Sequence, residues 1–396
     1  MLIINPLKLT KSVEWDLPPS KSHMIRWLAA ASQSEQETII KFNGEPGKDI
    51  ISMKRCIENF GVEVTESENS WTIKGINFGR GDIKNINFNC GNSGTTTNFV
   101  TVMASCFETE INLDGDDSLR NRDFSEINNA LRSMGAIISS DAPPFKIKGP
   151  VKFDKVSINT QKSSQPLSSL IIAFDKNCKN FTIECTGKPV SRDYSELTIN
   201  IAKECGVIVR KNDNNITLNC NKFILPKIVK IPQEISLFPI SVLLSELHGV
   251  EFKINNLGDS DFLKSSIEMI RTIDKEVLNL RDCSDFITPA AAILAIRKGG
   301  KIIGVKHAKG KESDRIEKTA ELLKVFGMDC EIEGEKLVIQ GNQLPKRPEK
   351  PVKTYLDHRI AMTAMALATY SGGEVNNPEI SEITDPSFIE KILHLG

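Results

Sequence analysis

Lys311-Glu312-Ser313-Asp314-Arg315 sets two carboxylates among two cations, and Asp357-His358-Arg359 follows further along the chain. A carboxylate held beside cations can give or take a proton next to a bound anion. The arginines can grip a carboxylate or phosphate through paired N–H groups. Charges this dense at a helix start also occur on ordinary exposed surfaces, so the pattern alone leaves both readings open. The Asp-His-Arg triplet holds one of only five histidines and precedes the apolar run 360–368, which makes it a better site candidate than a lone core histidine.

The first half of the chain offers anion-binding features instead. Leu17-Pro18-Pro19-Ser20-Lys21-Ser22-His23-Met24-Ile25-Arg26 reads as a proline-bounded helix entry in which Ser20 or Ser22 caps the run 24–31. Lys21, Ser22 and the first free N–H groups then share a positive helix end, with Arg26 one turn further in. Asn89-Cys90-Gly91-Asn92-Ser93-Gly94-Thr95-Thr96-Thr97 is a glycine and hydroxyl loop before a second apolar run. It is neither a P-loop nor a dinucleotide fingerprint. Arg120 and Arg122 precede the helix expected over 125–133, and Lys162-Ser163-Ser164-Gln165-Pro166 opens another. Each of these taken singly is also explained by capping or by solvated surface arginines. Together they place Ser, Thr, Lys or Arg at five or six helix starts, and helix ends converging on one cleft would hold a pair of anions. No His-Glu-x-x-His, CxxC or Gly-x-Ser-x-Gly pattern occurs, so no catalytic metal or nucleophile elbow is indicated.

The elements that must carry these stretches recur. Helices expected over 53–59, 127–133, 197–204 and 316–325 each run into a glycine, Gly61, Gly135, Gly206 or Gly327, and then into a short strand. A glycine just past the last turn supplies the left-handed conformation that reverses the chain. The first three glycines lie about 70 residues apart, and the gap to the fourth can hide another unit; the period is too long for a solenoid and predicts α/β units packed into globular domains. Polar hairpins over 66–71 and 212–216 close the units. A boundary is expected around Leu225-Pro226-Lys227, after which 235–247 reads as a buried helix.

At 396 residues, 40% hydrophobic and 26% charged, the chain is sized for two or three globular domains. A net charge of −1 gives no global attraction for nucleic acid or an anionic membrane. The nine scattered cysteines read as buried reduced thiols. No run reaches a membrane span, and the first residues make a poor signal peptide, so a cytoplasmic protein is expected.

The motifs 19–22 with Arg26, 91–95, 163–165, Ser191-Arg192-Asp193-Tyr194, 311–315 and 357–359 occur in the order seen in the enolpyruvyl transferases, and the sequence resembles the branch of that family acting on shikimate 3-phosphate. The resemblance covers essentially the whole chain. It implies an α/β (α+β) fold: a two-domain inside-out barrel-like clamp, each domain three βαβαββ repeats, with 1–18 plus 226–396 as one discontinuous domain and 19–225 as the other. It implies a transferase of chorismate and aromatic amino acid biosynthesis that moves the enolpyruvyl group of phosphoenolpyruvate to the 5-hydroxyl of shikimate 3-phosphate. A monomer with no cofactor, no metal and no nucleic-acid or membrane partner goes with it.

By motif match, Lys21, Ser22, Arg26, Ser163, Ser164, Gln165, Ser191, Tyr194, Asp285 and Lys311 would hold shikimate 3-phosphate. Lys21, Gly94, Arg122, Gln165, Arg315 and Arg359 would hold phosphoenolpyruvate, and Asp285, Glu312 and Lys21 would be catalytic. Asp285 is aligned with a family carboxylate that normally follows a proline, where this chain has Ser284. A competing alignment puts Pro289 there and leaves no base. Three further departures are Asn98 for an arginine, Ile383 for a lysine that contacts phosphoenolpyruvate, and Gln233-Glu234 for Gly-Asp. The sister branch acting on UDP-N-acetylglucosamine is disfavoured because its loop cysteine motif is absent. A paralogue with another acceptor and a non-catalytic binder of shikimate phosphate remain as alternatives.

Overall fold

The computed structural model describes residues 1–78, 83–174, 176, 179–255, 262–271, 273 and 276–395. The chain forms two compact units, one of Met1–Pro18, Glu45–Gly47 and Gln233–Gly396, the other of Pro19–Gly44 and Lys48–Pro232. We call these the discontinuous unit and the central unit.

The central unit repeats one pattern three times: strand, helix, strand, helix and a closing hairpin. Its sheets run Ile228–Lys230, Glu37–Lys41, Ser70–Lys74, Glu63–Ser67; then Asn87–Asn89, Ile111–Asp114, Phe145–Lys148, Ile137–Ile138; then Lys155–Asn159, Phe181–Thr186, Asn215–Cys220, Val207–Asn212. In each, the first two strands pair parallel and the rest antiparallel. The expected glycine reversals hold the left-handed conformation, with φ of +84° at Gly206 and +70° at Gly327.

The first sheet takes its leading strand from the far end of the segment. Ile228–Lys230 pairs with Ile39, Ile40 and Lys41. Residues 226–232, which the sequence reading gives to the other domain, therefore belong to the central unit. The short excursion Glu45–Gly47 goes the other way. A Cβ on Gly47 would stand 2.6 Å from the Ile383 carbonyl oxygen, so only glycine fits that crossing.

Three inner helices, Lys21–Ala31, Gly94–Ala104 and Gln165–Ala173, pack on one another. Beyond its first residues each is buried all round, as befits helices surrounded by protein. The outer helices, such as Lys48–Asn59 and Arg192–Glu204, bury one face only.

Among the described residues, the discontinuous unit has one complete repeat, with sheet order Val277–Asn279, Gly299–Ile303, Lys336–Gln340, Cys330–Glu333. Among the described residues, its other sheets are the two-stranded pairs Val13–Glu14 with Phe252–Lys253 and Leu2–Ile4 with Gly373–Val375. It too has three inner helices that pack together: Phe238–His248, Ile287–Ile296 and His358–Ser371. The expected buried helix over 235–247 is a 3-10 turn, Ile235–Leu237, leading into the first of these.

Candidate active site

In the central unit the inner helices begin beside one another, and the motif residues are what join them. Ser20 caps the first helix, its Oγ accepting from His23 N and lying 2.9 Å from His23 Nδ1. Lys21 Nζ pairs with Asp49 at 3.1 Å. The Asp49 carbonyl accepts from Thr96 Oγ1, in the first turn of the second helix, at 3.4 Å. Gln165, opening the third, donates from Nε2 to Thr95 Oγ1 at 3.1 Å and accepts at Oε1 from Asn98 Nδ2 at 3.3 Å. A Cβ on Gly94 would sit 3.2 Å from Arg122 Nη1 and 3.4 Å from Gln165 Oε1. Glycine thus lets a guanidinium and an amide close on a helix N-terminus, where unpaired N–H groups favour anions.

Arg122 is oriented by Asn92 Oδ1 at 2.8 Å and Ser118 Oγ at 3.3 Å, whereas Arg120 turns out to the exposed Asp114 and Asp117. The stretch before Arg122 contains the short helix Asp117–Arg120 capped by Asp116. Arg26 is buried. It donates to Thr198 Oγ1 at 2.7 Å, Ser22 O at 2.8 Å, and Ser168 Oγ and Tyr194 O at 3.3 Å, tying the first inner helix to the start of Arg192–Glu204. Four of its five N–H groups are thereby used within the protein. Ser163 Oγ accepts from Gln165 N at 3.1 Å, Ser164 is the residue before that helix, and Ser191 precedes Arg192–Glu204 with a left-handed φ of 52°.

The discontinuous unit gathers its predicted residues more tightly. Asp285 lies in the 3-10 turn Ser284–Phe286 that leads into the inner helix Ile287–Ile296, while Pro289 sits inside that buried helix. Arg315 donates from Nη1 to Asp285 at 2.6 Å, from Nη2 to Glu312 at 2.5 Å, and from Nε to Asp357 at 2.9 Å. Asp357 caps the helix His358–Ser371 and also accepts from Ser313 Oγ at 2.9 Å. Arg359 donates to the Ser236 carbonyl at 2.9 Å and hydroxyl at 2.7 Å, with Nη2 3.7 Å from Asp285. The side chains of Arg315 and Asp357 are 1% and 0% exposed, and those of Glu312 and Asp285 13% and 22%. Three carboxylates around it hold the Arg315 guanidinium charged well above its ordinary range, against the cost of burial. Lys311 follows the turn Lys306–Gly310, beside Glu312 and close enough to His307 to disfavour its protonation. Among the described residues, no group of three or more His, Cys, Asp or Glu is placed to hold a metal ion.

Residues 5–238 and 240–392 match the family model described as EPSP synthase (3-phosphoshikimate 1-carboxyvinyltransferase). The chain belongs to the EPSP synthase family. It is 31% identical to the 3-phosphoshikimate 1-carboxyvinyltransferase of Korarchaeum cryptofilum, over 100% of this chain and 98% of that protein. Identity to the enzyme of the same name from Methanosarcina acetivorans is 30%, over 96% of this chain and 94% of the relative. The solved EPSP synthase of Acinetobacter baumannii superposes with a TM-score of 0.79 at 20% identity, covering 100% and 98% of the two chains, which establishes the shared fold.

Set against the family pattern, two departures acquire a physical reading. Asn98 lies on the helix Gly94–Ala104, where Nδ2 also reaches the Gly94 carbonyl at 2.8 Å. Ile383 is buried at the end of the 3-10 helix Pro378–Ile383, so position 383 packs into the core. Asn92 was visible within the 91–95 motif, but the sequence reading missed Asp49, Ser168, Thr198 and Ser236, further partners of the predicted cations. Nothing in their local pattern separates them from other buried polar residues. Asp357 was visible as part of the Asp-His-Arg triplet, though its work is to hold Arg315 and cap a helix.

Two histidines, the half-buried His23 and the buried His307, give the site region a pH signature. Burial, and secondarily Arg26, lowers His23 to about 3; burial, and secondarily Lys311, lowers His307 to about 4. Below the ordinary value of 6.5 the unfolded chain takes protons that these neutral rings refuse, so stability falls as pH falls toward those lowered values. At pH 5 the loss is about 2 kcal/mol per histidine. We expect the thermal midpoint to drop between pH 7 and 5, and to drop less in His23→Gln and His307→Gln. A midpoint flat across that range in the parent protein would contradict both assignments.

Proposed function

We propose that this chain transfers the enolpyruvyl group of phosphoenolpyruvate to the 5-hydroxyl of shikimate 3-phosphate, releasing phosphate on the route to chorismate and the aromatic amino acids. With membership of the EPSP synthase family, the observation that carries the reading is the cluster of Asp285, Glu312, Arg315, Asp357 and Arg359, drawn from three chain segments. The acceptor oxygen must lose a proton as it bonds to C2 of phosphoenolpyruvate, and the methylene carbon must gain one. The resulting tetrahedral intermediate returns a proton from that methyl group as the bond from C2 to the phosphate oxygen breaks.

In this reading Asp285 takes the hydroxyl proton and Glu312 serves the methylene carbon. Arg315 and Arg359, with Lys21, Gly94, Arg122 and Gln165, bind phosphoenolpyruvate. Ser163, Ser164 and Ser191 bind the acceptor's phosphate; Ser22 and Arg26 serve its carboxylate side; Gln165, Tyr194 and Lys311 serve the ring. The pairing at Arg315 adds a step. An anion that takes Arg315 must exchange with carboxylates, and Asp285 and Glu312 are the more exposed of its three partners. Arrival of phosphoenolpyruvate thus releases both acid–base groups from the guanidinium that holds them, while Asp357 stays to fix Arg315. The enzyme acts as a monomer in the cytoplasm, with no nucleic-acid or membrane partner; the net charge of −1 supports the first of these exclusions. Mass analysis of a reaction of the purified protein with both substrates should show the acceptor gaining one enolpyruvyl group. An acceptor recovered unchanged would refute the reading.

A further inference from the structure

A guanidinium offers two edges for paired recognition, the end edge of Nη1 and Nη2 and the lateral edge of Nε and Nη2. On Arg359 the end edge is filled by Ser236: Nη1 meets its carbonyl at 2.9 Å and Nη2 its hydroxyl at 2.7 Å. The lateral edge is not filled. Nε is buried with no hydrogen-bond partner, in a side chain only 3% exposed, and Nη2 stands 3.7 Å from Asp285 Oδ2. An unsatisfied buried donor costs free energy that a ligand oxygen can recover.

The hydroxyl of Ser236 is itself held. It donates to Glu234 Oε1 at 2.5 Å, and the same oxygen lies 3.3 Å from Ser236 N. A serine hydroxyl has one proton. With that proton committed to Glu234, a lone pair faces Arg359; without Glu234 the hydroxyl can rotate its proton toward the cation. Glu234 is 1% exposed and fixed at its own N–H by the Pro18 carbonyl at 2.8 Å, so the chain of bonds starts from a rigid point.

We propose that Glu234 and Ser236 are positioning residues for phosphoenolpyruvate: they occupy the end edge of the Arg359 guanidinium and so present its lateral edge, next to Asp285, to a carboxylate or phosphate of that substrate. The inference rests on the function proposed above. Neither residue touches the reacting atoms. Their effect falls on affinity for one substrate.

Steady-state kinetics of the parent protein, Ser236→Ala, Ser236→Thr and Glu234→Leu, with each substrate varied while the other saturates, tests this. Ser236→Ala and Glu234→Leu should raise KM for phosphoenolpyruvate about tenfold, the loss of one charge-assisted hydrogen bond, with kcat and KM for shikimate 3-phosphate within about threefold. Ser236→Thr, which keeps the hydroxyl, should return to within about threefold of the parent. If Glu234→Leu does not fold, the two Ser236 variants decide. A Ser236→Ala enzyme with unchanged KM for phosphoenolpyruvate overturns the inference, as does one whose KM values rise together while kcat falls, which marks a merely structural role. A parent protein that turns over neither substrate would instead refute the function reading.

Discussion

Arg315→Met is expected to abolish activity and to destabilise the discontinuous unit. Arg315 is 1% exposed and is the shared partner of Asp285, Glu312 and Asp357. Removing one member of a buried ion pair costs about 3–5 kcal/mol, because the remaining charge is left uncompensated. Here the remaining charge includes a fully buried carboxylate that also caps the helix His358–Ser371. Denaturant unfolding should therefore show a loss of that size. Arg315→Lys should recover part of the stability but little activity, because one ammonium cannot reach three carboxylates in the guanidinium's fixed geometry. In both variants kcat/KM should fall by about a thousandfold or more, as for loss of a preorganised electrostatic group. A methionine variant that unfolds at the parent's denaturant midpoint would show that the carboxylates are compensated elsewhere.

Asp285→Asn should separate chemistry from binding. The amide keeps the size and one acceptor oxygen but cannot take a proton, so kcat should fall by about a hundredfold to ten-thousandfold, the usual range for a general base. Affinity for shikimate 3-phosphate, measured by calorimetry, should stay within about fivefold, because in the proposed site Asp285 is one polar contact among many. An unchanged kcat would place the base elsewhere and revive the alignment that sets Pro289 at this position. Pro289 lies within the buried helix Ile287–Ile296, whereas Asp285 stands at the arginine cluster.

How much of this was legible in the sequence follows from the range of the interactions. Helix starts and stops are local: Ser20 and Asp314 cap the helices they precede, and Gly206 and Gly327 hold the left-handed turns expected of them. The motif order, carried by six short stretches, was enough to point to the family. The pairing of Ile228–Lys230 with Glu37–Lys41 was not legible, because a three-residue strand joining a partner so far away in the chain leaves no periodic signal. For the same reason the domain change was expected at 226, near a proline. The candidate site residues were visible as chemistry, but the side chains that hold them were not. Asp49, Thr198 and Ser236 are single polar residues whose importance depends on which cation the fold brings to them.

Phosphate release from phosphoenolpyruvate, followed with shikimate 3-phosphate present and absent, is the decisive test of the proposed reaction. Release is expected only when both are supplied, at equal stoichiometry with consumption of the acceptor. No release despite tight binding of shikimate 3-phosphate would mark a non-catalytic relative, and release only with a different acceptor would mark a paralogue; either result would contradict it.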